Sequence, residues 1–180
     1  MNAEIDVSNV VLHTERLTLR PWTIDDLTDL YEYASVDGVG QMAGWLPHRN
    51  IEESLAILQR FIAEKITFAI EFNGKVIGSL GIEQYNEEEL PEFQDKRGRE
   101  IGYVLSKDYW GRGLMPEVVQ AVIKYLFETL GLDFIVCGHF VENYQSQRAQ
   151  EKCGFAHYKL VKYTTRFGAE KDTWLSILER

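Results

Sequence analysis

Apolar residues recur at helical spacing in three long stretches of the chain. The longest covers residues 115–130, where apolar side chains fall at i, i+3, i+4, i+7 and i+8, and it predicts one amphipathic helix. Two shorter stretches follow the capping residues Thr23 and Asn50 and predict helices over residues 24–35 and 51–62. In the second of these helices, the stripe expected to be buried consists of Ile51, Leu55, Leu58 and Ile62.

Shorter apolar runs bounded by turn residues predict β-strands. ITFAIEFNGKVIGSLGIEQY predicts a hairpin, because the dipeptide Asn73-Gly74 suits the positive φ angles of a type I′ turn. Further strands are predicted over residues 15–20, 100–107, 133–140, 157–166 and 171–178. A short polar helix is predicted between Asn143, as its N-cap, and Gly154, as its end. The charged residues 86–99 form a loop that is either a solvated excursion or a lid over a substrate.

The composition indicates one folded domain over residues 1–180. Apolar residues make up 45% of the chain and charged residues 26%, which is ordinary globular usage. The net charge of −9 argues against a nucleic-acid partner, because phosphate backbones require clustered Lys and Arg. Cys137 and Cys153 are too few and too far apart in sequence to indicate a disulfide scaffold or a metal site, and no apolar run approaches membrane-spanning length. We therefore expect a cytoplasmic protein that uses no metal and no membrane.

The segment YWGRGLMPE, residues 109–117, leads from a predicted strand into the longest helix. Gly111 and Gly113 would let an anion approach the backbone, and amides in the first turn of a helix lack intrahelical partners, so the segment suits a phosphate group. A tight turn without a ligand is the alternative. The spacing fits neither a P-loop nor a dinucleotide fingerprint. Pro116 is compatible with the first helical turn, where no amide donor is needed.

Together with the order of elements, three segments resemble the GCN5-related N-acetyltransferase (GNAT) superfamily. TERLTLRPWTIDDLTDLYEYAS is similar to its opening strand and helix, in particular in the RimJ/RimL-type, ribosomal-protein-acetylating branch. YWGRGLMPEVVQAVIKYLF is similar to the acyl-CoA pyrophosphate turn and helix, and ENYQSQRAQEKCGF to the later Asn-x-x-Ser…Lys-x-Gly-Phe signature. The resemblance implies an α/β fold whose mixed, mostly antiparallel sheet contains a splayed parallel strand pair and is flanked by helices.

The resemblance also implies that acetyl-CoA is the cosubstrate and lies in the gap between the two splayed strands. Backbone groups of Val104, Leu105 and Ser106 would pair with the pantetheine arm. Asn143 would add a side-chain hydrogen bond to pantetheine, or serve only as a helix cap. The amides expected to hold the pyrophosphate belong to Gly111, Arg112, Gly113, Leu114 and Met115. Met115 departs from the small residue of the family pattern and is expected to narrow the groove.

The reaction of the family is direct attack of a free amine on the thioester in a ternary complex, which needs a base for the amine and an acid for the thiolate. Glu100 is the candidate base, and the alternative is a solvated carboxylate at the end of a strand. Ser146 is the candidate acid because it occupies the position from which relatives contact the sulfur, and the alternative is a polar residue of the first helical turn. Many relatives carry a tyrosine at the position of Gln150, and Tyr144 is a lesser candidate acid.

The loop GWLPH is expected at the acceptor side, where Trp45 and His48 either bind the substrate or simply pack. The acceptor implied is a primary amine of a protein N-terminus or of a small molecule. Strands near the C-terminus could pair in a homodimer. His139 and Cys153 are interpreted as structural residues. The alternative to an enzyme is a protein of the same fold that binds acyl-CoA without turnover, as a sensor or interaction module.

Overall fold

A computed structural model describes residues 1–180 and contains an eight-stranded sheet in the order β1-β2-β3-β4-β5-β6-β8-β7. The strands are β1 (Leu12–His13), β2 (Thr18–Pro21), β3 (Thr67–Phe72), β4 (Lys75–Glu83), β5 (Gly98–Leu105), β6 (Phe134–Phe140), β7 (Ala156–Thr164) and β8 (Glu170–Glu179). Neighbouring strands are antiparallel except β5 and β6, which are parallel. This confirms the expected mixed, mostly antiparallel sheet.

Four α-helices accompany the sheet at the predicted places in the chain. They are α1 (Leu27–Ala34), α2 (Ile51–Glu64), α3 (Leu114–Lys124) and α4 (Tyr144–Lys152). Short 3-10 turns lie at Ile24–Asp26, Gly40–Ala43, Pro91–Phe93 and Lys107–Tyr109. α3 continues as a π-helical turn, Tyr125–Thr129, in which the Leu130 amide donates to the Tyr125 carbonyl at 3.1 Å. The apolar spacing does not distinguish this wider turn from an α-helix.

The sheet separates two hydrophobic layers. On one face, Val118 and Val122 of α3 belong to the cluster that contains Leu80 of β4. On the other face, Leu58 of α2 packs in the cluster that contains Ala69 of β3. Burial of these apolar side chains on both faces holds the two central strands rigidly between helices.

The predicted buried stripe of α2 is wrong in part. Leu58 is fully buried and Leu55 is partly buried, but Ile51 and Ile62 are each 39% exposed. Ser54 is fully buried instead. The helix therefore turns the face of Ser54 and Leu58 inward. The apolar period fixes the spacing of a stripe but does not decide between two neighbouring faces when both carry apolar residues.

The predicted caps and turns are confirmed. Asn73 and Gly74 have φ angles of 50° and 78°, so both central residues of the β3–β4 turn are in the left-handed region, as a type I′ turn requires. The Asn50 side chain accepts a hydrogen bond from the Glu53 amide at 2.9 Å. Gly131, with a φ of 65°, follows the helical segment.

The parallel strands β5 and β6 separate part-way along their length. Their pairing runs only from Gly98 opposite Phe134 to Ile101 opposite Cys137. The remaining residues of β5, 102–105, pair with β4 alone. The gap leaves backbone groups of β5 without a partner strand, and it confirms the expected splayed pair.

The segment between β4 and β5 packs against the sheet. β5 begins at Gly98 rather than at the predicted residue 100, which shortens the loop. Leu90 and Phe93 of this loop are 1% and 5% exposed, and the Phe93 ring lies 4.5 Å from the Phe134 ring, centroid to centroid. These buried contacts hold the loop in place at the paired end of β5 and β6.

Replacing Gly98 by alanine should lower the free energy of unfolding by about 1–3 kcal/mol, because overpacking forces neighbouring groups to move. A Cβ on Gly98 would lie 2.3 Å from the ring of Phe134, which is fully buried and cannot swing away. Gly102→Ala is the matched control in the same strand, since a Cβ there meets nothing within 4 Å. Denaturant unfolding of both variants measures the difference, and equal stabilities would contradict this packing.

Candidate active site

The gap between β5 and β6 opens into a cleft of about 1200 Å³. The cleft extends from the turn before α3, through the gap, to the sheet face beneath α2. It is lined by most of the site residues expected from the sequence: Trp45, His48, Glu100, Val104, Leu105, Gly111, Gly113, Leu114, Met115, Asn143 and Ser146. Ser106 and Arg112 do not line it.

The turn before α3 requires both of its glycines. Gly111 and Gly113 have φ angles of 74° and 72°, a region that other residues adopt only with strain. Gly113 is the N-cap of α3, so the amides of Leu114 and Met115 lie in the first helical turn without intrahelical acceptors. The Met115 side chain is 8% exposed and packs in the core cluster against the sheet. Its bulk is therefore accommodated largely within the core.

Arg112 and Arg16 hold the outer side of this turn. The Arg112 guanidinium donates to the Asp108 carbonyl at 3.0 Å, and its centre lies 5.1 Å from the centroid of the Tyr109 ring. Arg16 donates from Nη1 to the Arg112 carbonyl at 3.0 Å and pairs with Glu117 at 2.8 Å. Fixing one carbonyl outward leaves the following amides free to face the opposite side, which suits an anion.

The strand register decides which backbone groups of β5 face the gap. The Ser106 amide donates to the Ile77 carbonyl at 2.7 Å, and Val104 lies opposite Ser79 of β4. Because backbone groups in an antiparallel ladder alternate between the two sides, Val104 directs its groups to β4 as well. The backbone groups of Tyr103 and Leu105 face the gap instead. The expectation that Val104 and Ser106 offer backbone groups to a ligand is thus corrected, and in β5 those groups belong to Tyr103 and Leu105.

Glu100 lies in β5 directly opposite Glu83 of β4. Its carboxylate reaches across to β6, where Oε1 lies 3.4 Å from the point that a Cβ on Gly138 would occupy. Burial, with smaller contributions from Glu89 and Glu83, raises the pKa of Glu100 to about 7. A carboxyl group with a pKa near neutrality can exchange a proton at physiological pH, which a solvated strand-end carboxylate does not do.

Asn143 and Ser146 are joined at the start of α4. The Asn143 Oδ1 accepts from the Ser146 amide at 3.1 Å, which confirms the predicted cap. Its Nδ2 donates to the Met42 carbonyl at 3.4 Å, near the upper limit for a hydrogen bond. The cap fixes the first turn of α4 and thereby the position of Ser146 beside the gap.

The Ser146 hydroxyl is contacted by two side chains that the sequence did not indicate as its partners. Tyr103 of β5 places its Oη 3.0 Å from the Ser146 Oγ. Gln150, one turn further along α4, donates from Nε2 to the same Oγ at 3.3 Å. Burial raises the pKa of Tyr103, so its phenol keeps its proton at neutral pH. Ser146 is therefore held from two sides.

Glu100 and Ser146 lie at opposite mouths of the gap. Side chains alternate across a strand, so Glu100 and Tyr103, three positions apart in β5, project to different faces of the sheet. Tyr103 packs against the core cluster on the side of α3 and contacts Ser146 there. A molecule threaded through the gap would meet a proton acceptor on one side and hydroxyl donors on the other.

Trp45 and His48 form one wall at the far end of the cleft. The Trp45 ring lies over Gly40, where a Cβ would approach it to 2.2 Å, and its centroid is 5.3 Å from that of the His48 ring. The His48 Nδ1 lies 2.7 Å from the Ser54 Oγ, and burial lowers the pKa of His48. The wall is therefore aromatic and uncharged at neutral pH.

The family model of the acetyltransferase (GNAT) domain matches residues 16–156. The chain belongs to the GNAT acetyltransferases. Its relatives include the uncharacterized N-acetyltransferase YoaA of Bacillus subtilis, which is 31% identical over 171 residues, covering 91% of this chain and 93% of YoaA. The expected family and the expected N-acetyltransferase class are both confirmed.

Solved structures of GNAT proteins share the fold. An acetyltransferase of the GNAT family from Bacillus anthracis superposes with a TM-score of 0.81 at 22% identity, over 94% of this chain and 98% of that one. The microcin C7 self-immunity acetyltransferase MccE, in complex with acetyl-CoA and AMP, superposes with a TM-score of 0.76 at 17% identity, over 92% and 93% of the two chains. The likeness at these identities concerns the fold alone.

Three other residues of this GNAT protein have environments that bear on the chemistry. Tyr144 is 66% exposed at the start of α4. His139 is 4% exposed, and its Nδ1 lies 3.0 Å from the Gln150 Oε1. Burial raises the pKa of the Cys153 thiol to about 11, which keeps it protonated and unreactive at neutral pH.

None of the helices combines the length and apolar character that a membrane span requires.

Tyr103 and Arg16 were not among the site residues expected from the sequence, and the reasons are physical. The burial pattern of β5 does not alternate, because Gly102 is exposed while Tyr103 and Val104 are both partly buried, so alternation did not reveal which residue turned toward the gap. Arg16 reaches the turn before α3 from 96 positions away in the chain. A signal for Tyr103 was available in the absence of a tyrosine at position 150, which leaves room for another hydroxyl beside Ser146.

Proposed function

We propose that this acetyltransferase moves the acetyl group of acetyl-CoA to a primary amine by direct attack in a ternary complex. The observation that carries the proposal is the placement of Glu100 and of the Ser146–Tyr103 pair at opposite mouths of the β5–β6 gap. Direct transfer needs a proton acceptor on the side of the amine and a proton donor on the side of the thiolate. A single site with both groups favours an enzyme over a sensor.

The residues of the cleft suit acetyl-CoA. The turn amides of Gly113, Leu114 and Met115 are free for a pyrophosphate, and positive φ at the glycines keeps side chains out of its way. The gap-facing backbone groups of Tyr103 and Leu105 would pair with the pantetheine arm as a strand does. The Leu105 carbonyl already accepts from the Trp110 Nε1 at 2.8 Å, which leaves its amide and its second lone pair.

When bound, acetyl-CoA supplies an activated acetyl thioester. Glu100 takes the proton that the amine loses as the carbon–nitrogen bond forms, directly or through one water molecule. Ser146 gives a proton to the sulfur as the carbon–sulfur bond breaks.

The acceptor in this proposal is a small-molecule amine or a protein N-terminus, bound against Trp45 and His48. Their resemblance-based assignment to the acceptor side is supported by their position at the far end of the cleft. The RimJ/RimL-type branch rests on the resemblance of TERLTLRPWTIDDLTDLYEYAS to the opening strand and helix of that branch. We place the enzyme in the cytoplasm because both cysteines are free. One domain is supported by a single sheet, and a homodimer by the exposed edge strand β7.

Isothermal titration with acetyl-CoA, followed by a thiol-release assay over monoamines, diamines and N-terminal peptides, tests the function. We expect acetyl-CoA to bind and CoA to be released with at least one class of amine. Binding without release for every acceptor would support a sensor instead. No binding of acetyl-CoA would contradict both functions.

A further inference from the structure

The hydrogen bonds around Ser146 have a fixed direction that begins at Gln150. The Gln150 Nε2 lies 3.2 Å from the Gly138 carbonyl, which can only accept, so the amide nitrogen must face Gly138. The Gln150 Oε1 then faces the His139 Nδ1, which must carry the hydrogen of that 3.0 Å contact. Gln150 is 2% exposed, so solvent does not compete for these groups.

The surroundings of His139 are compatible with this orientation of the Gln150 amide. With the hydrogen on Nδ1, its Nε2 is a bare acceptor, and this atom is buried without a partner. Burial lowers the pKa of His139 and keeps the ring neutral; the hydrogen bond that His139 donates to Gln150 raises this pKa, and the nearby His157 lowers it further. The other groups that face His139 are Glu151, which favours the charged form, and the uncharged Trp174 behind the His157 ring. The Gly138 carbonyl therefore fixes the orientation of the Gln150 amide, and His139 takes the tautomer that matches it.

The consequence for Ser146 follows from counting protons. Its oxygen has two lone pairs and one hydrogen. Gln150 Nε2 can only donate, so it occupies one lone pair at 3.3 Å. The Tyr103 Oη lies 3.0 Å from the Ser146 Oγ, and either hydroxyl can donate across this contact. When Tyr103 donates, both lone pairs of the Ser146 oxygen are filled and the serine hydrogen points into the gap.

We propose that Tyr103 and Gln150 are positioning residues that aim the Ser146 proton at the sulfur and stabilise the oxygen that remains. The inference rests on the proposed function, in which Ser146 protonates the departing thiolate. As the Ser146 O–H bond breaks and the S–H bond forms, solvent in the open cleft returns a proton to the serine oxygen, so no free alkoxide accumulates. The partial negative charge that develops on this oxygen is stabilised by two hydrogen bonds, one from Tyr103 and one from Gln150.

The test uses Tyr103→Phe and Gln150→Met in the full-length enzyme, with the amine that gives the fastest CoA release as acceptor. Each variant should lower kcat by about 10–100-fold, the effect of losing a hydrogen bond to a charged oxygen. The dissociation constant of acetyl-CoA should stay within about twofold, since neither hydroxyl nor amide is needed for binding in this proposal. Tyr158→Phe, an exposed tyrosine outside the cleft, is the matched control and should keep the parent kcat. Thermal unfolding of each variant verifies that it is folded.

The selenoester analogue of acetyl-CoA separates positioning from general structural damage. A selenolate leaves without a proton, so the loss caused by Tyr103→Phe should shrink to less than about twofold with this donor. Equal losses with both donors would overturn the inference. Ser146→Ala alone tests the proposed acid, and in that background Tyr103→Phe should cost nothing further. If Ser146→Ala is harmless, the proposed function of Ser146 fails, whereas a harmful Ser146→Ala beside harmless Tyr103→Phe and Gln150→Met variants rejects the positioning alone.

Discussion

Replacing Glu100 by glutamine should lower kcat/KM for amine acetylation by about 10²–10⁴-fold, the usual contribution of a general base. The substitution keeps the size and shape of the side chain, so it should still fit against Gly138 and leave acetyl-CoA binding unchanged. Steady-state CoA release, with isothermal titration of acetyl-CoA as the binding control, measures both quantities. A variant with the parent rate would remove Glu100 from the mechanism.

The pH profile identifies the same group independently. Because the pKa of Glu100 is raised to about 7, the reactive carboxylate is scarce below this pH and accumulates above it. The rate should therefore rise with pH through about 7 in the parent enzyme, and this limb should be absent in Glu100→Gln. Glu89→Gln is a useful companion, since the negative charge of Glu89 raises the pKa of Glu100. In Glu89→Gln the rising part of the pH–rate profile should shift to lower pH, while the maximal rate is retained. An unshifted profile would contradict the electrostatic effect of Glu89 on Glu100.

Replacing Gly113 by valine should weaken acetyl-CoA binding by about 10–100-fold, because a β-branched residue cannot hold the left-handed conformation and would move the first turn of α3. The φ of 72° at Gly113 sets the direction of the Leu114 and Met115 amides. Their reorientation would remove donors from the anion site. Isothermal titration with acetyl-CoA measures the change.

Gly74→Val is the control for backbone strain. Gly74 has a φ of 78° in the β3–β4 turn, a Cβ there meets nothing within 4 Å, and the residue does not line the cleft. Both substitutions should destabilise the fold by about 1–2 kcal/mol. Only Gly113→Val should change the affinity for acetyl-CoA. Equal affinities in the two variants would show that the turn does not bind the pyrophosphate.

The elements of this fold were predictable where the signal is local. Caps at Asn50 and Asn143 and the turn at Asn73-Gly74 depend on residues within a few positions of one another, and each forms as expected. Which face of α2 is buried was not predictable, because either the face of Ile51 or that of Ser54 could turn inward. Packing against the neighbouring helix determines that Ser54 is buried and Ile51 exposed. The π-helical turn after α3 was missed for the same reason, since its hydrogen-bond pattern follows from packing.

The site was predictable only as far as the resemblance reached. Ser146 and the turn glycines, which lie in the segments that resemble the family, line one cleft together with Glu100, the candidate base of the central strand. The register between β4 and β5 then reassigned the backbone groups from Val104 and Ser106 to Tyr103 and Leu105. Register is a property of paired strands, so a one-residue shift in the facing side of β5 cannot be read from β5 alone.

The position of β8 between β6 and β7 has a consequence for how the sheet folds. β6 forms one side of the gap and hydrogen-bonds β8 along its whole length, from Phe134 opposite Glu179 to Phe140 opposite Thr173. β8 follows β6 only after α4 and β7, so this pairing is non-local, and the entropy of closing the intervening segment must be lost before the contact forms. We therefore expect this half of the sheet to form late in folding, with the β6 edge unpaired until β8 docks.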